Sequence, residues 1–343
     1  MQTMKAVVLE RACSARELGL SAVPVPTVVP GWVLVRVRAF GINRSEVFMR
    51  TVEANSPHIA LPRIPGIECV GEIADPSDSR FGSGQRVVAL MGGMGRSFDG
   101  SYAEYALLPA SNVFTADTDL SWEELAAIPE TWFTAYGSLF DCLQLVPTDR
   151  LLVRGATSAL GLAAVQLARS VGCVVLGTSR QLSRMDILRS RGVDHPLVDD
   201  DRLDDRVLAA CPGGVQKILE LIGPSTLRES MSWLAHHGIV CCTGVLGHRF
   251  SLDGFDPIKF IPNGVYLSSF FSNYPTQARI EEILRHMAAH GLRPAIARVF
   301  PFDQIGLAHE LMESDDAVGK IVVTVSLHEP SQRGSRRVGR EST

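Results

Sequence analysis

The sequence lacks any apolar run long enough to cross a membrane, and neither sign of charge is in large excess. A membrane-spanning helix needs about 20 consecutive apolar residues. The net charge of −4 over 343 residues gives no bias towards nucleic acid or an anionic membrane surface. The first residues lead directly into a strand-like pattern, so we expect no signal peptide. These absences favour a globular protein without nucleic-acid or membrane partners.

Cysteine is sparse and odd in number, with seven residues scattered along the chain. A disulfide framework uses paired cysteines at close spacings, so this distribution argues against one and favours a reducing, cytoplasmic environment. Cys241 and Cys242 are adjacent in a strand-like segment, and we expect both to be buried, unreactive thiols.

The length predicts two domains, because a single hydrophobic core rarely serves 343 residues. The first third is rich in short strand patterns and turns, whereas helix and strand patterns alternate from Ser121 onwards. Residues 121–124, SWEE, have the pattern of a capped helix start, and residues 226–235 carry helix-forming residues. The end returns to a strand pattern before a polar, arginine-rich tail. We therefore predict one domain from residues 1–122 and 293–328, a second from residues 123–292, and a disordered tail at 329–343.

Residues 151–161, LLVRGATSALG, carry the most informative pattern in the chain. An apolar strand ends at Gly155, crosses a turn of small residues and becomes a helix with Gly161 in its first turn. Unpaired N–H groups and the helix dipole at such a turn bind a dinucleotide pyrophosphate. The usual fingerprint has three glycines, and Ser158 and Ala159 stand in the middle here. Simple packing of a helix on a sheet is the alternative interpretation.

The end of the next strand indicates which dinucleotide is bound. Residues 174–178 form an apolar strand pattern, followed by Ser179 and Arg180, with Arg184 four residues on. An acidic residue usually meets the ribose hydroxyls of NAD at this place, and none stands here. Arginine matches the oxygens of a phosphate, so the sequence favours NADP(H) over NAD. A solvent-exposed helix face is the alternative.

Several short motifs together give the chain a family resemblance over roughly residues 4 to 327. They are FGINRSE at 40–46, PGIECVGE at 65–72, GSGQRV at 82–87, GSYAEY at 100–105, AAIP at 126–129, TA at 134–135 and GK at 319–320. In this order they resemble the medium-chain dehydrogenase/reductase superfamily, and specifically its zinc-free, quinone oxidoreductase-like branch. The resemblance implies an α/β protein with a GroES-like β-barrel domain and a Rossmann domain, a doubly wound parallel sheet.

Zinc ligands are missing where the zinc-dependent relatives have them. A cysteine of those relatives is Asn43 here, and the histidine before the glutamate is Ile67. The lobe that holds their structural zinc corresponds to residues 91–96, which contain no cysteine. His286 and His290 are four apart in a helical pattern but lack a third ligand, and His236 and His237 are expected at a helix end. We therefore expect no metal.

The resemblance also implies the functional residues. Asn43 and Thr134 are expected beside the nicotinamide and the reacting carbonyl, as the catalytic pair. The residues expected to bind the cofactor are Gly155, Ala156, Ser158, Ala159, Leu160, Gly161, Ser179, Arg180, Arg184, Thr243, Gly244, Val245, Leu246, Phe270, Phe271 and Lys320. Ser272 is expected to border the same pocket. Purely structural roles are the alternative, with Asn43 fixing a turn and the phenylalanines packing in the core.

The expected reaction is transfer of a hydride from NADPH to a quinone or an activated alkene, such as an enone or enoyl compound. Charge that develops on such substrates is delocalised, so they depend less on a metal than simple alcohols do. Zinc-free carbonyl reduction and cofactor binding without turnover are the alternatives. Phe48 stands where many relatives have a tyrosine, so the proton donor is open, with Tyr102, Tyr136 and Tyr274 as possible substitutes. The expected partner is a small hydrophobic quinone or enone molecule, and within this class the more apolar pocket at Phe48 favours a bulky hydrophobic substrate.

A homodimer is also implied by the family. We expect it to form by pairing of edge strands around residues 265–269.

Overall fold

The structure is a computed structural model that describes residues 2–326. The strands are β1 (Thr3–Val7), β2 (Leu20–Pro24), β3 (Trp32–Ile42), β4 (Glu68–Asp75), β5 (Arg86–Leu90), β6 (Tyr105–Pro109), β7 (Val113–Thr115), β8 (Arg150–Arg154), β9 (Val174–Ser179), β10 (His195–Val198), β11 (Val215–Glu220), β12 (Leu234–Cys242), β13 (Tyr266–Ser268), β14 (Ile296–Pro301) and β15 (Lys320–Thr324). The helices are α1 (Arg44–Thr51), α2 (Trp122–Ala126), α3 (Pro129–Tyr136), α4 (Ala159–Ser170), α5 (Met185–Ser190), α6 (Leu203–Ala210), α7 (Leu227–Ser232), α8 (Pro257–Phe260), α9 (Gln277–His290) and α10 (Ile305–Glu313).

The first sheet, here called the barrel sheet, has seven strands and is almost entirely antiparallel. Its order is β14-β15-β3-β4-β5-β7, and β6 pairs with the first half of β3. The exception is β14, which runs parallel to β15. The long strand β3 therefore joins three neighbours, and the C-terminal strand β15 pairs with its second half. The chain thus returns to its first domain near its end.

The second sheet, here called the parallel sheet, has six parallel strands in the order β10-β9-β8-β11-β12-β13. The order reverses between β8 and β11, and ligands of such sheets bind at the carboxyl ends of the strands beside that reversal. Leu151, Leu152 and Val153 of β8 are fully buried because helices cover both faces. The predicted α/β class, with a β-rich domain and a doubly wound parallel sheet, is confirmed.

One apolar core joins the two sheets. It contains Ala39, Val70 and Val88 of the barrel sheet together with side chains of β8, α3 and α4. Helix α2 contacts β3, β4 and β15, although the sequence division at residue 122 gives it to the other domain. The helix begins as the sequence predicts, because Ser121 and Glu124 cap each other reciprocally.

Several local predictions differ from the structure. The predicted helix at 226–235 is shorter, Leu227–Ser232, because the backbone from Leu234 already pairs with β11. His236 and His237 consequently lie in β12 rather than at a helix end. Cys241 is buried as expected, whereas Cys242 is only half-buried. The predicted tail at 329–343 lies outside the described residues.

Among residues 2–326, no helix combines the length and the apolar character that a membrane span requires.

Candidate active site

The turn after β8 has the tight geometry that its sequence predicts. Gly155 adopts a φ of +92°, which a residue with a side chain rarely adopts. A Cβ on Gly161 would lie 2.6 Å from the Gly155 carbonyl oxygen, so only glycine lets the helix approach the turn this closely. The Ser158 hydroxyl accepts a hydrogen bond from the Gly161 N–H at 3.0 Å and donates one to the Gly155 carbonyl at 2.9 Å. These bonds fix the start of α4.

This turn fits the pyrophosphate of a dinucleotide. Ala159 and Leu160 are the first residues of α4, so their N–H groups have no acceptor within the helix. They lie at the positive end of a 12-residue helix, on the β8 side of the strand reversal. Gly155, Ala156, Ser158, Ala159, Leu160 and Gly161, all predicted to line the cofactor, therefore form one cradle.

The loop after β12 lies beside the cradle. A Cβ on Gly155 would contact Leu246 at 3.2 Å, and Gly244 packs against the backbone of Leu221. The Thr243 hydroxyl donates to the Phe270 carbonyl oxygen at 2.9 Å. The predicted residues 243–246 and Phe270 are thus close to the turn. Phe271 is not: its side chain is 69% exposed and packs against Tyr274.

Three arginines meet at Asp315, beside the end of β9, two at its carboxylate and one at its backbone carbonyl. Arg180, 76% exposed, pairs with Asp315 at 3.1 Å, and Arg184 donates to the Asp315 backbone carbonyl at 2.7 Å. Arg44 of α1 pairs with the same carboxylate. The predicted phosphate-binding arginines are therefore brought together, with Arg44 as a third cation, but around an anion of the protein itself. Asp315 was not found from the sequence, because 131 residues separate it from Arg184.

A buried polar network lies around Asn43, on the barrel-sheet side. The Asn43 amide donates to Glu68 Oε1 at 2.8 Å, and its carbonyl oxygen accepts from Lys320 Nζ at 2.6 Å. Lys320 Nζ also pairs with Glu68 Oε1 at 2.6 Å and donates to the Thr131 hydroxyl at 2.9 Å. Lys320 was predicted to bind the cofactor; its ammonium group is instead buried in this network.

Lys320 and the glycine turn are neighbours. The backbones of Ser158 and Gly319 form an isolated β-bridge, which places Lys320 next to the cradle. A Cβ on Gly41 would lie 2.3 Å from Lys320 Cε and 2.4 Å from Glu68 Oε1. The glycine of the FGINRSE motif therefore leaves the space that the buried ion pair occupies.

Thr134 connects to this network through Glu130. The Thr134 hydroxyl donates to Glu130 Oε1 at 2.8 Å, and the Ser272 hydroxyl donates to the same oxygen at 3.3 Å. The Glu130 backbone N–H donates to Glu68 Oε2 at 2.7 Å, so the Glu68 carboxylate caps the start of α3. Thr134 and Asn43, the predicted catalytic pair, are thus linked through two carboxyl groups.

Burial changes the acidity of two of these carboxyl groups. Burial, and then the neighbouring Glu68 charge, raises the pKa of Glu46 to about 7. Burial likewise raises the pKa of Glu130, while Lys320 acts in the opposite direction. Glu46 accepts hydrogen bonds from the N–H groups of Asn43 at 2.8 Å and Ile67 at 3.2 Å, which fixes the turn that carries Asn43.

The tyrosines considered as proton donors lie elsewhere. The buried Tyr102 hydroxyl bonds His309 at 3.0 Å, the Tyr136 hydroxyl donates to Glu282 at 3.1 Å, and Tyr274 is exposed. Phe48 packs against Phe250, with ring centroids 4.5 Å apart. None of these side chains offers a proton beside Asn43 or Thr134.

Metal ligands are not gathered anywhere in the described part of the chain, where no group of three His, Cys, Asp or Glu side chains could hold an ion. His286 pairs with the Ser170 hydroxyl and stacks near His290 on the face of α9.

The sequence missed three acidic members of the site. Glu46 and Glu68 lie in the motifs that carry the resemblance, but the motifs give no role for them. Glu130 directly follows AAIP and is four residues before Thr134, so the two share a helix face. That spacing was the available signal for Glu130.

Comparison with known proteins supports the two-domain interpretation. Residues 29–118 match the family model for the alcohol dehydrogenase GroES-like domain, and residues 191–323 match that for zinc-binding dehydrogenases. The predicted GroES-like domain is confirmed by the first match. The human quinone oxidoreductase is 28% identical over 309 residues, covering 88% of this chain and 91% of that protein. The pig quinone oxidoreductase is 27% identical over 312 residues, with the same coverage.

Solved structures agree on the fold. A crystal structure of an NAD-dependent alcohol dehydrogenase matches with a TM-score of 0.84 at 25% identity, covering 94% of this chain and all of that one. The quinone oxidoreductase from Coxiella burnetii matches with a TM-score of 0.81 at 20% identity, covering 95% of this chain and 100% of that one.

Proposed function

Because this chain belongs to the medium-chain dehydrogenase/reductase superfamily of nicotinamide-dependent oxidoreductases, we propose that it is an NADPH-dependent reductase of quinones or activated alkenes. The proposal rests on the side chains that this chain has at the positions where its zinc-dependent relatives have zinc ligands. Asn43 and Ile67 stand there, and the Asn43 amide is bonded to Glu68 and Lys320. This set of side chains suits hydrogen bonding rather than zinc coordination.

The chain's own residues hold the cofactor in this proposal. The cradle at 155–161 binds the pyrophosphate, residues 243–246 and Phe270 line its nicotinamide side, and Thr134 and Ser272 offer hydroxyl groups there. The cofactor supplies the hydride. Quinones and enones suit this site because their developing charge is delocalised, so a few hydrogen bonds stabilise it.

The preference for NADPH is supported by the end of β9. Ser179 is the last residue of the strand, and no carboxylate follows it before Arg184. Asp199 follows the neighbouring strand β10 but is paired with Arg154 at 2.9 Å. Arg180 and Arg184 are the donors that an adenosine 2′-phosphate would meet.

Turnover is tested by following the absorbance of NADPH with a panel of quinones and enones. We expect at least one of these acceptors to oxidise NADPH. With that acceptor, the rate of NADPH oxidation should exceed the rate of NADH oxidation. Binding of NADPH without oxidation by any acceptor would instead favour a cofactor-binding protein without catalytic activity. Carbonyl reduction with a tyrosine donor finds no support, because the candidate tyrosines are bonded elsewhere or exposed.

The cofactor preference is tested by replacing Arg180 and Arg184 with alanine. We expect NADPH binding to weaken by ~1.5–3 kcal/mol for each charge-assisted hydrogen bond lost, with little change for NADH. Arg189→Ala on α5 is the matched control, since Arg189 pairs with Asp186 at the surface. Equal weakening of both cofactors would refute the assignment.

We also propose a cytoplasmic homodimer. Within residues 2–326, β13 is an edge strand that pairs with β12 on one side, and its other side can pair with a second copy. All seven cysteines are free thiols, which suits a reducing compartment. Light scattering should give twice the mass of the chain, and Tyr266→Lys on β13 should yield monomers. The control, Val299→Lys, changes an exposed residue on β14, the edge of the barrel sheet.

A further inference from the structure

Of the three clustered glutamates, Glu130 is the one that is not fully buried. Glu46 and Glu68 are fully buried, whereas Glu130 is partly exposed to solvent. Its carboxyl group accepts hydrogen bonds from Thr134 and Ser272, the two hydroxyl groups expected beside the nicotinamide. A chemical group at this place can contact both the protein network and a bound substrate.

The charges around Glu130 do not balance unless protons are retained. Lys320 on β15 is the cation that the network contains, and it pairs with Glu68 of β4 at 2.6 Å. Among the described residues, neither Glu46 on α1 nor Glu130 on α3 forms an ion pair. Arg96 also acts on Glu46, but it pairs with Glu53 at 2.7 Å. Glu46 is fully buried and Glu130 is half-buried, so ionising either group without an ion pair is costly and favours the protonated form. Burial does raise the pKa of both groups.

The hydrogen bonds distinguish the two carboxyl oxygens of Glu130. Oε1 accepts from both hydroxyl groups, at 2.8 Å and 3.3 Å. Oε2 has no hydrogen-bond partner among residues 2–326, so it is the oxygen free to hold and donate a proton.

We propose that Glu130 is the catalytic residue that donates the proton in the reduction, and this rests on the function proposed above. With an enone as substrate, the bound cofactor would supply a hydride to the β-carbon and be oxidised, and the π electrons would move to the carbonyl oxygen to give an enolate. As the carbonyl bond reforms, the carbon–carbon π pair of the enolate would take the proton from Oε2 of Glu130, so that the O–H bond breaks and a C–H bond forms at the α-carbon. Glu130 keeps the electron pair as a carboxylate, and water restores its proton.

This assignment resolves the missing donor. Phe48 has no proton to give, and the hydroxyl groups of Tyr102 and Tyr136 are bonded elsewhere. Glu130 also sits on the same helix as Thr134, so the donor and the hydroxyl group that orients it move together.

The test compares Glu130→Gln with wild type in the full-length protein. Glutamine keeps the Oε1 acceptor and the size of the side chain but has no acidic proton. We expect kcat/KM to fall about 100-fold or more, the usual contribution of a general acid, while the dissociation constant of NADPH stays unchanged. The fall in rate at high pH, as the wild-type acid ionises, should disappear. Glu130→Asp should retain that fall at a lower rate.

A second measurement needs no turnover. Infrared spectra of the cofactor-free protein at neutral pH should contain the carbonyl stretch of protonated carboxyl groups, and Glu130→Gln should reduce that band. Glu123→Gln, on the neighbouring helix α2, is the matched control, and it should change neither the band nor the rate.

The outcomes separate the two proposals. An inactive wild type refutes the proposed function and, with it, the role of Glu130. An active wild type with an unchanged Glu130→Gln rate and pH profile overturns only the proton donor. Equal loss of rate and NADPH binding in Glu130→Gln would also overturn it, because that result indicates a structural role.

Discussion

Glu46 shows how a single buried side chain links the local turn to the pH dependence of stability. It accepts hydrogen bonds from two backbone N–H groups while lying close to Glu68. Folding raises its pKa from an ordinary 4.5 to about 7, so the folded protein holds this proton more tightly than the unfolded chain. Stability from Glu46 is therefore full below pH 4.5 and is lost as the pH rises through about 7.

The pH dependence gives a prediction for Glu46→Gln. The free energy of unfolding of wild type relative to the variant should fall by about 2–3 kcal/mol between about pH 5 and about pH 8, at about 1.4 kcal/mol for each pH unit within the window. Denaturant titrations across this range measure it. Glu10→Gln, at an exposed position, should show no such trend. A difference that is constant with pH would show that Glu46 ionises at its ordinary pKa.

At the scale of single elements, the start of α4 is the clearest case of sequence specifying structure. Ser158 caps the helix, Gly155 turns the backbone, and Gly161 allows close approach. Helix α9 has the same kind of cap, in which Thr276 accepts from the Arg279 N–H at 3.3 Å. The two caps lie at different places in the fold. The Ser158 cap lies at the strand reversal of the parallel sheet, and the Thr276 cap does not.

This pair of caps makes a matched test. Ser158→Ala and Thr276→Ala should each lower the free energy of unfolding by ~1 kcal/mol, because each removes a cap. Only Ser158→Ala should also weaken cofactor binding, roughly five-fold for each ~1 kcal/mol of lost turn stability. Calorimetric titration with NADPH measures this. Equal cofactor affinity in the two variants would contradict a role for the cradle.

At the scale of the whole molecule, the two domains are joined by polar contacts of charged side chains as well as by a shared apolar core. Asp315 follows α10, close to the barrel sheet, and contacts Arg180 and Arg184 beside the parallel sheet. Of the arginines proposed for the 2′-phosphate, Arg180 is therefore already paired with a carboxylate, and Arg184 is bonded to the backbone carbonyl of the same residue. A phosphate that binds there competes with Asp315 for the same donors.

Removing this competition should favour NADPH. We expect Asp315→Asn to tighten NADPH binding about two- to five-fold, a modest effect because exposed ion pairs contribute about 0–1 kcal/mol, and to leave NADH binding nearly unchanged. Asp316→Asn removes the same charge one residue later and should change neither. Weaker NADPH binding in Asp315→Asn would mean that Asp315 shapes the pocket instead of competing for it.

The sequence alone determined the features that short stretches of chain specify. Strand periodicity, the glycine turn, the Ser121 cap and the alternation of helices and strands all follow from neighbouring residues, so the α/β class could be predicted. Asn43, Thr134 and the residues of the cradle came from motifs in the same way. Their roles in binding and catalysis stay predictions.

Only the tertiary structure decided which distant residues share a site. Lys320 meets Glu68 across 252 positions because β15 returns to pair with β3, and Ser272 meets Glu130 because β13 ends beside α3. Asp315 contacts Arg44 and Arg180 because it lies just before β15, the strand that returns to pair with β3. The burial of a side chain and its ionisation state depend on these contacts between residues that are distant in sequence. Local sequence spacing carries no information about such contacts.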